Sequence, residues 1–194
     1  MLTEKRRHLF LITAFISLWT LSLYGAELAI PQNDIPGLTN FAKVSDVLYR
    51  GAQPDEQGFK ELKKMGVKTV VNLRDKHSDI EMLKGLGLQY VSIPVDTWDL
   101  DDKDVIVFLK VVTDLANQPI FVHCQHGSDR TGTMAAIYRV YEQKWSRDDA
   151  IRELPNFGFH RIWHNLKKYI RYIDLDKIRP EVNDAEKPKV ELIK

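Results

Sequence analysis

The chain has little of several things, and each shortage narrows what it can be. One cysteine stands among 194 residues, so no intramolecular disulfide can form and stability must come from the core. Neither sign of charge prevails: 28 Lys and Arg face 27 Asp and Glu, a net +1, and nothing in that balance favours nucleic acid. Ten glycines and eight prolines are scattered, with no repeat and no low-complexity tract. No second Cys or His pair accompanies the lone thiol, so a structural zinc site is not expected. At this length the remainder suits one domain with a substantial core.

A single long apolar run is present, Leu9 to Tyr24, preceded by Lys5-Arg6-Arg7-His8 and followed by Gly25 and Ala26. That layout predicts a secretory signal peptide over residues 1–26, with export to the periplasm. An uncleaved N-terminal membrane anchor, with the domain still outside the cytoplasm, is the alternative. A buried core helix is disfavoured because the run shows no polar stripe.

Beyond it, strands alternate with helices. The pattern predicts strands at Val47–Arg50, Val67–Leu73, Gln89–Ile93 and Ile120–His123, and helices at Asp55–Met65, Ser78–Leu86, Asp101–Asn117, Arg130–Gln143, Arg147–Leu154 and Phe159–Ile173. This βα alternation implies an α/β single domain: a central, mostly parallel sheet flanked by helices, with ligands bound beyond the carboxyl ends of the strands. The last helix would carry His160, His164, Lys167, Lys168 and Arg171 on one solvated face. Residues 176–194, rich in charge and with two prolines, read as a loose tail.

The chemistry concentrates in His123-Cys124-Gln125-His126-Gly127-Ser128-Asp129-Arg130-Thr131-Gly132. A loop leading from a buried strand into a helix turns several backbone N–H groups toward one point, where the helix dipole adds positive potential. A thiol at its entrance is favoured as the thiolate nucleophile, and an arginine at its exit offers a planar fork for two phosphate oxygens. An inert buried thiol is the plain alternative, but the neighbours of Cys124 make a poor apolar nest.

Together, His123, Cys124, five residues, Arg130 and Thr131, with Gly127 and Gly132, resemble the signature loop of the protein-tyrosine and dual-specificity phosphatases. Leu48-Tyr49-Arg50-Gly51-Ala52-Gln53-Pro54 and Val70-Val71-Asn72-Leu73-Arg74-Asp75 are similar to the opening strands of the compact bacterial and plant-fungal members, so the resemblance spans residues 40–175. It implies hydrolysis of phosphate monoesters through a phosphocysteine, without metal or cofactor. Gln125, His126, Gly127, Ser128, Asp129 and Arg130 would bind the phosphate, and His123 would brace the loop. Thr131 would either donate its hydroxyl to the departing sulfur or serve only as a first-turn helix residue. The proton for the leaving oxygen would come from an aspartate on a separate loop; Asp96, directly after Ile93-Pro94-Val95, leads and Asp99 is second. Arg74 and Asp75 are either pocket-rim residues or a structural pair.

The expected partner is a phosphorylated protein or small phosphate ester, phosphotyrosine above all, because the loop holds one acid, Asp129, and no fixed cation between Cys124 and Arg130. Inositol or lipid phosphates are the alternative substrate, and a phosphate-binding module without catalysis is the alternative of another class. An arsenate reductase or sulfurtransferase fits poorly, since further cysteines are absent.

Overall fold

A computed structural model describes residues 26–194; the predicted signal segment lies almost wholly outside them. Four short strands, β2 (Leu48–Gly51), β3 (Thr69–Asn72), β4 (Gln89–Ser92) and β5 (Ile120–His123), run parallel in the order β2-β5-β3-β4. β1 (Ala42–Lys43) and β6 (Glu191–Leu192) close the two edges antiparallel, so the sheet is six-stranded and mostly parallel, as the alternation predicts. β3 and β5 are wholly buried along their lengths, as strands covered on both faces must be.

The helices form where local caps and apolar spacing dictate. α1 (Glu56–Lys64) starts at Asp55, whose carboxylate accepts from the Gly58 N–H. α3 (Asp102–Thr113) starts at Asp101, and α5 (Arg147–Glu153) at Ser146, by the same device. α2 (Ile80–Leu83) is one turn long, and α4 (Asp129–Tyr141) follows β5 directly. One face of the sheet packs on α1 and α2 through Phe59, Leu62, Val70, Leu83 and Phe121. The other packs on α3, α4, α5, α6 (His164–Tyr172) and α7 (Leu175–Val182), around Val71, Phe108, Val122, Met134, Leu166 and Ile178. Among the described residues no helix is long and apolar enough to cross a membrane.

Two regions depart from the sequence reading. Residues 176–194 are not a loose tail. They complete α7 and supply β6, because Ile178, Val182 and Ile193, spread among charges, are each less than 8% exposed against the core. Lys110 and Lys187 tie the segment to α3 and its C-terminal turn through Asp184 and Asp114. The last predicted helix also begins later, at His164, leaving residues 159–163 as irregular chain.

Candidate active site

β5 ends at His123, and Cys124 stands at its carboxyl end, 3% exposed. Between that point and α4 the carbonyls of the loop are drawn away from its centre. The Gln125 carbonyl accepts from the Gln53 N–H (3.2 Å), the His126 carbonyl from Asn40 Nδ2 (2.9 Å), and the Gly127 carbonyl from Arg50 Nη2 (2.8 Å). The N–H groups of residues 125–130 have no protein acceptor among the described residues. Carbonyls held back and N–H groups left free are what an anion cradle at a helix N-terminus needs. Gly127 makes the turn at φ +71°, and a Cβ there would lie 2.5 Å from the Gly51 carbonyl carbon. Only glycine fits.

Arg130 lies on the first turn of α4, half-buried, with Nη1 donating to the Leu73 carbonyl (3.2 Å). Cys124, Arg130, His126 and Asp129 share a pocket of about 360 Å³ whose other walls are Thr97, His160, Ile162 and Trp163. The structure brings Cys124, Arg130 and the loop residues His126 and Asp129, all expected from the sequence, to one pocket. The Thr131 hydroxyl is fully buried and unpartnered among the described residues, consistent with either of its two expected roles.

His123, expected to brace the loop, contacts it beside a partner that local sequence reasoning missed. Its Nε2 donates to Asp79 Oδ2 (3.0 Å) and its Nδ1 lies 3.3 Å from the Cys124 carbonyl oxygen. Asp79, fully buried, also accepts from Arg74 Nη2 (2.6 Å) and Gln53 Nε2 (3.0 Å). Arg74 is thus bound to Asp79 rather than to its neighbour Asp75, which is exposed and beside Lys76. Arg50 was also missed as a functional residue. Its guanidinium is completely buried, 3.6 Å over the Phe157 ring, with Nε and Nη1 unpartnered among the described residues. Burial lowers its pKa to about 10.

Neither of the two aspartates expected to supply a proton lines this pocket, although Asp96 adjoins its wall residue Thr97. Asp96 is exposed and its carboxylate accepts from the Trp98 N–H (2.8 Å). Asp99 lines a neighbouring groove with Trp98, Lys168 and Tyr172. Asp101 and Asp102 are structural: the first caps α3, and the second accepts from Tyr169 (2.7 Å) and Lys177 (2.8 Å), which lower its pKa. Asn165 Nδ2 pins the loop by donating to the carbonyls of Thr97 (2.6 Å) and Trp98 (3.2 Å), and Trp98 meets Trp163 edge-on at 4.6 Å. No group of three or more potential metal ligands occurs among the described residues.

Residues 36–165 match the family model described as "DSP-PTPase phosphatase fused to NAD+ Kinase". The dual specificity protein phosphatase TpbA of Pseudomonas aeruginosa is 31% identical over 172 residues, 84% of this chain and 78% of that one. The crystal structure of P. aeruginosa TpbA superposes with a TM-score of 0.69 at 30% identity, over 81% of this chain and 97% of that one, and a cysteine-to-serine form of it was crystallised with pTyr. The catalytic core of the S. cerevisiae PP-IP phosphatase SIW14, 24% identical over 75% of this chain and 92% of that one, shares the fold with the same TM-score. A family model spanning the whole strand–loop–helix unit, and a relative aligned over most of both chains, place this chain among the cysteine-dependent, dual-specificity-like phosphatases, hydrolases of phosphoric monoesters.

Proposed function

We propose that the protein removes phosphate from phosphotyrosine in proteins through a phosphocysteine. The observation that carries this reading is the loop around Cys124: free N–H groups, a thiol at the strand end and Arg130 in one pocket. In the first step Cys124 Sγ attacks phosphorus, an S–P bond forms and the ester oxygen leaves. Water then attacks phosphorus, the S–P bond breaks and inorganic phosphate departs. The loop N–H groups and the Arg130 fork stabilise the three equatorial oxygens as charge develops. Ile162 and Trp163 give the pocket an apolar wall suited to the face of an aryl leaving group.

The pTyr complex of TpbA supports the choice of substrate. A more highly charged inositol substrate, as the name of SIW14 suggests for that protein, is the second reading. It is weaker here because the loop itself still offers Arg130 as its one fixed cation. Turnover of a phosphotyrosine peptide and of inositol hexakisphosphate should be compared on the same preparation, with Cys124→Ser as the blank. Faster phosphate release from the inositol compound would reverse the preference.

The basic-then-apolar start of the chain supports export, with the domain in the periplasm or held on its membrane by an uncleaved anchor. Fractionation of cells producing the full chain tests this; recovery in the cytoplasm would refute it.

A further inference from the structure

A second hollow adjoins the pocket around Cys124. Thr97 lines the pocket, and the next residue, Trp98, lines a groove of about 330 Å³. The two share a ridge: Trp163 belongs to the pocket wall, Trp98 to the groove wall, and their rings meet edge-on at 4.6 Å. One side of the groove is the loop from Trp98 to Leu100. The other is a stripe of α6, where Asn165, Lys168, Tyr169 and Tyr172 recur at the i, i+3, i+4, i+7 spacing of one helix face. Asn165 ties the two sides together through the Thr97 and Trp98 carbonyls, so the groove is formed before anything enters it.

Seven large hydrophobic side chains are exposed among the described residues, and three of them stand around these two hollows: Trp98 (67%), Tyr172 (71%) and Ile162 (61%). Exposed apolar side chains gathered in one place, unlike scattered ones, mark a binding surface. The charges nearby say what it binds. Lys168 and Asp99, one of each sign, offset one another on the rim. The other two fixed cations of α6 are engaged, Lys167 over the Phe159 ring and Arg171 with Asp148. A polyanion or an anionic membrane calls for surplus positive charge, which this groove does not supply. Tyr169 gives its hydroxyl to Asp102 (2.7 Å), leaving its ring as the surface on offer.

We propose that the groove is a substrate subsite for an apolar or aromatic side chain a few residues from the phosphotyrosine, with Trp98 and Tyr172 as its specificity-determining residues. The inference rests on the phosphotyrosine reading and narrows it. Phosphotyrosine occupies the pocket beside Ile162 and Trp163, the peptide crosses the Trp98–Trp163 ridge, and the flanking side chain packs on the groove's aromatic walls. An inositol phosphate has no side chain to place there.

Phosphotyrosine peptides of serine and glycine, with one phenylalanine or one aspartate walked through the positions on either side, test this. With purified wild-type protein, phenylalanine at one or more positions is expected to raise kcat/KM about tenfold over the plain peptide, mainly through KM. Tyr172→Ala and Trp98→Ala are each expected to reduce that preference below about threefold. The preference is a ratio taken within each variant, so a general loss of turnover, as from disturbing the loop that Trp98 shares with Asp96, cancels from it. No preference for phenylalanine at any position, a stronger one for aspartate, or a preference that survives in either variant would overturn the assignment. Tyr172-dependent binding to phosphatidylglycerol vesicles without a peptide preference would overturn it in favour of a membrane contact. Protein that hydrolyses p-nitrophenyl phosphate but none of the peptides would instead sink the phosphotyrosine reading, and the subsite with it.

Discussion

Replacing Asp79 by alanine removes one carboxylate and strands three donors. The Arg74 side chain is 9% exposed and that of His123 not at all, so neither can turn to water for compensation. Breaking a buried ion pair by deleting one partner costs about 3–5 kcal/mol, because the other charge stays buried without a counterion. For a domain whose total stability is about 5–15 kcal/mol, that is a large share. At roughly 2–4 °C per kcal/mol for a chain of this size, the melting temperature should fall by about 6–20 °C. Activity should drop further than the folded fraction does. His123 would lose its Nε2 partner, the ring would no longer be fixed beside the Cys124 carbonyl, and a misplacement near 1 Å can cost about 100-fold in rate. Thermal unfolding followed by circular dichroism, paired with p-nitrophenyl phosphate kinetics at a temperature where the variant stays folded, reads both effects. A melting temperature within about 2 °C of wild type would refute the claim that this network holds the loop.

Cys124→Ser should reduce p-nitrophenyl phosphate hydrolysis to background while unfolding at nearly the wild-type temperature; residual turnover comparable to wild type would remove the nucleophile from this position. Gly127→Ala should lower kcat/KM at least 100-fold, since its Cβ would meet the Gly51 carbonyl carbon at 2.5 Å and the loop would have to shift; wild-type kinetics would show that the turn is not as tight as drawn. Arg50→Met should separate stability from activity. Burial holds the Arg50 pKa down at about 10, below the ordinary arginine range, so its charge costs on the order of a few kcal/mol below pH 10, a penalty relieved as pH rises through that value. Methionine removes that cost together with the hydrogen bond to the Gly127 carbonyl. The melting temperature at pH 7 should therefore stay level or rise, while kcat/KM falls at least tenfold; a fall in melting temperature above about 10 °C would contradict it.

The sequence by itself determined the fold class and pointed to one candidate reaction centre, because both are written in short stretches of chain. A strand of Ile120 to His123, a loop opening on Cys124 and a helix carrying Arg130 are consecutive, so backbone geometry alone brings thiol, N–H groups and guanidinium together. The caps at Asp55, Asp101 and Ser146 likewise act within three residues of chain. Tertiary structure alone decided which distant groups support that centre. Asp79 meets His123 across 44 positions, Arg50 meets Gly127 across 77, and Asp129 meets His160 across 31. No periodicity or spacing records such pairings; they exist because parallel β2, β3 and β5 end on one side of the sheet. The same holds for the tail, whose Ile178, Val182 and Ile193 look incidental among charges until α3 and β4 offer them a surface. His160 shows the limit most clearly. Helical spacing placed it on a solvated face; it is exposed, and the Asp129 carboxylate at the start of α4 also holds it on the rim of the pocket.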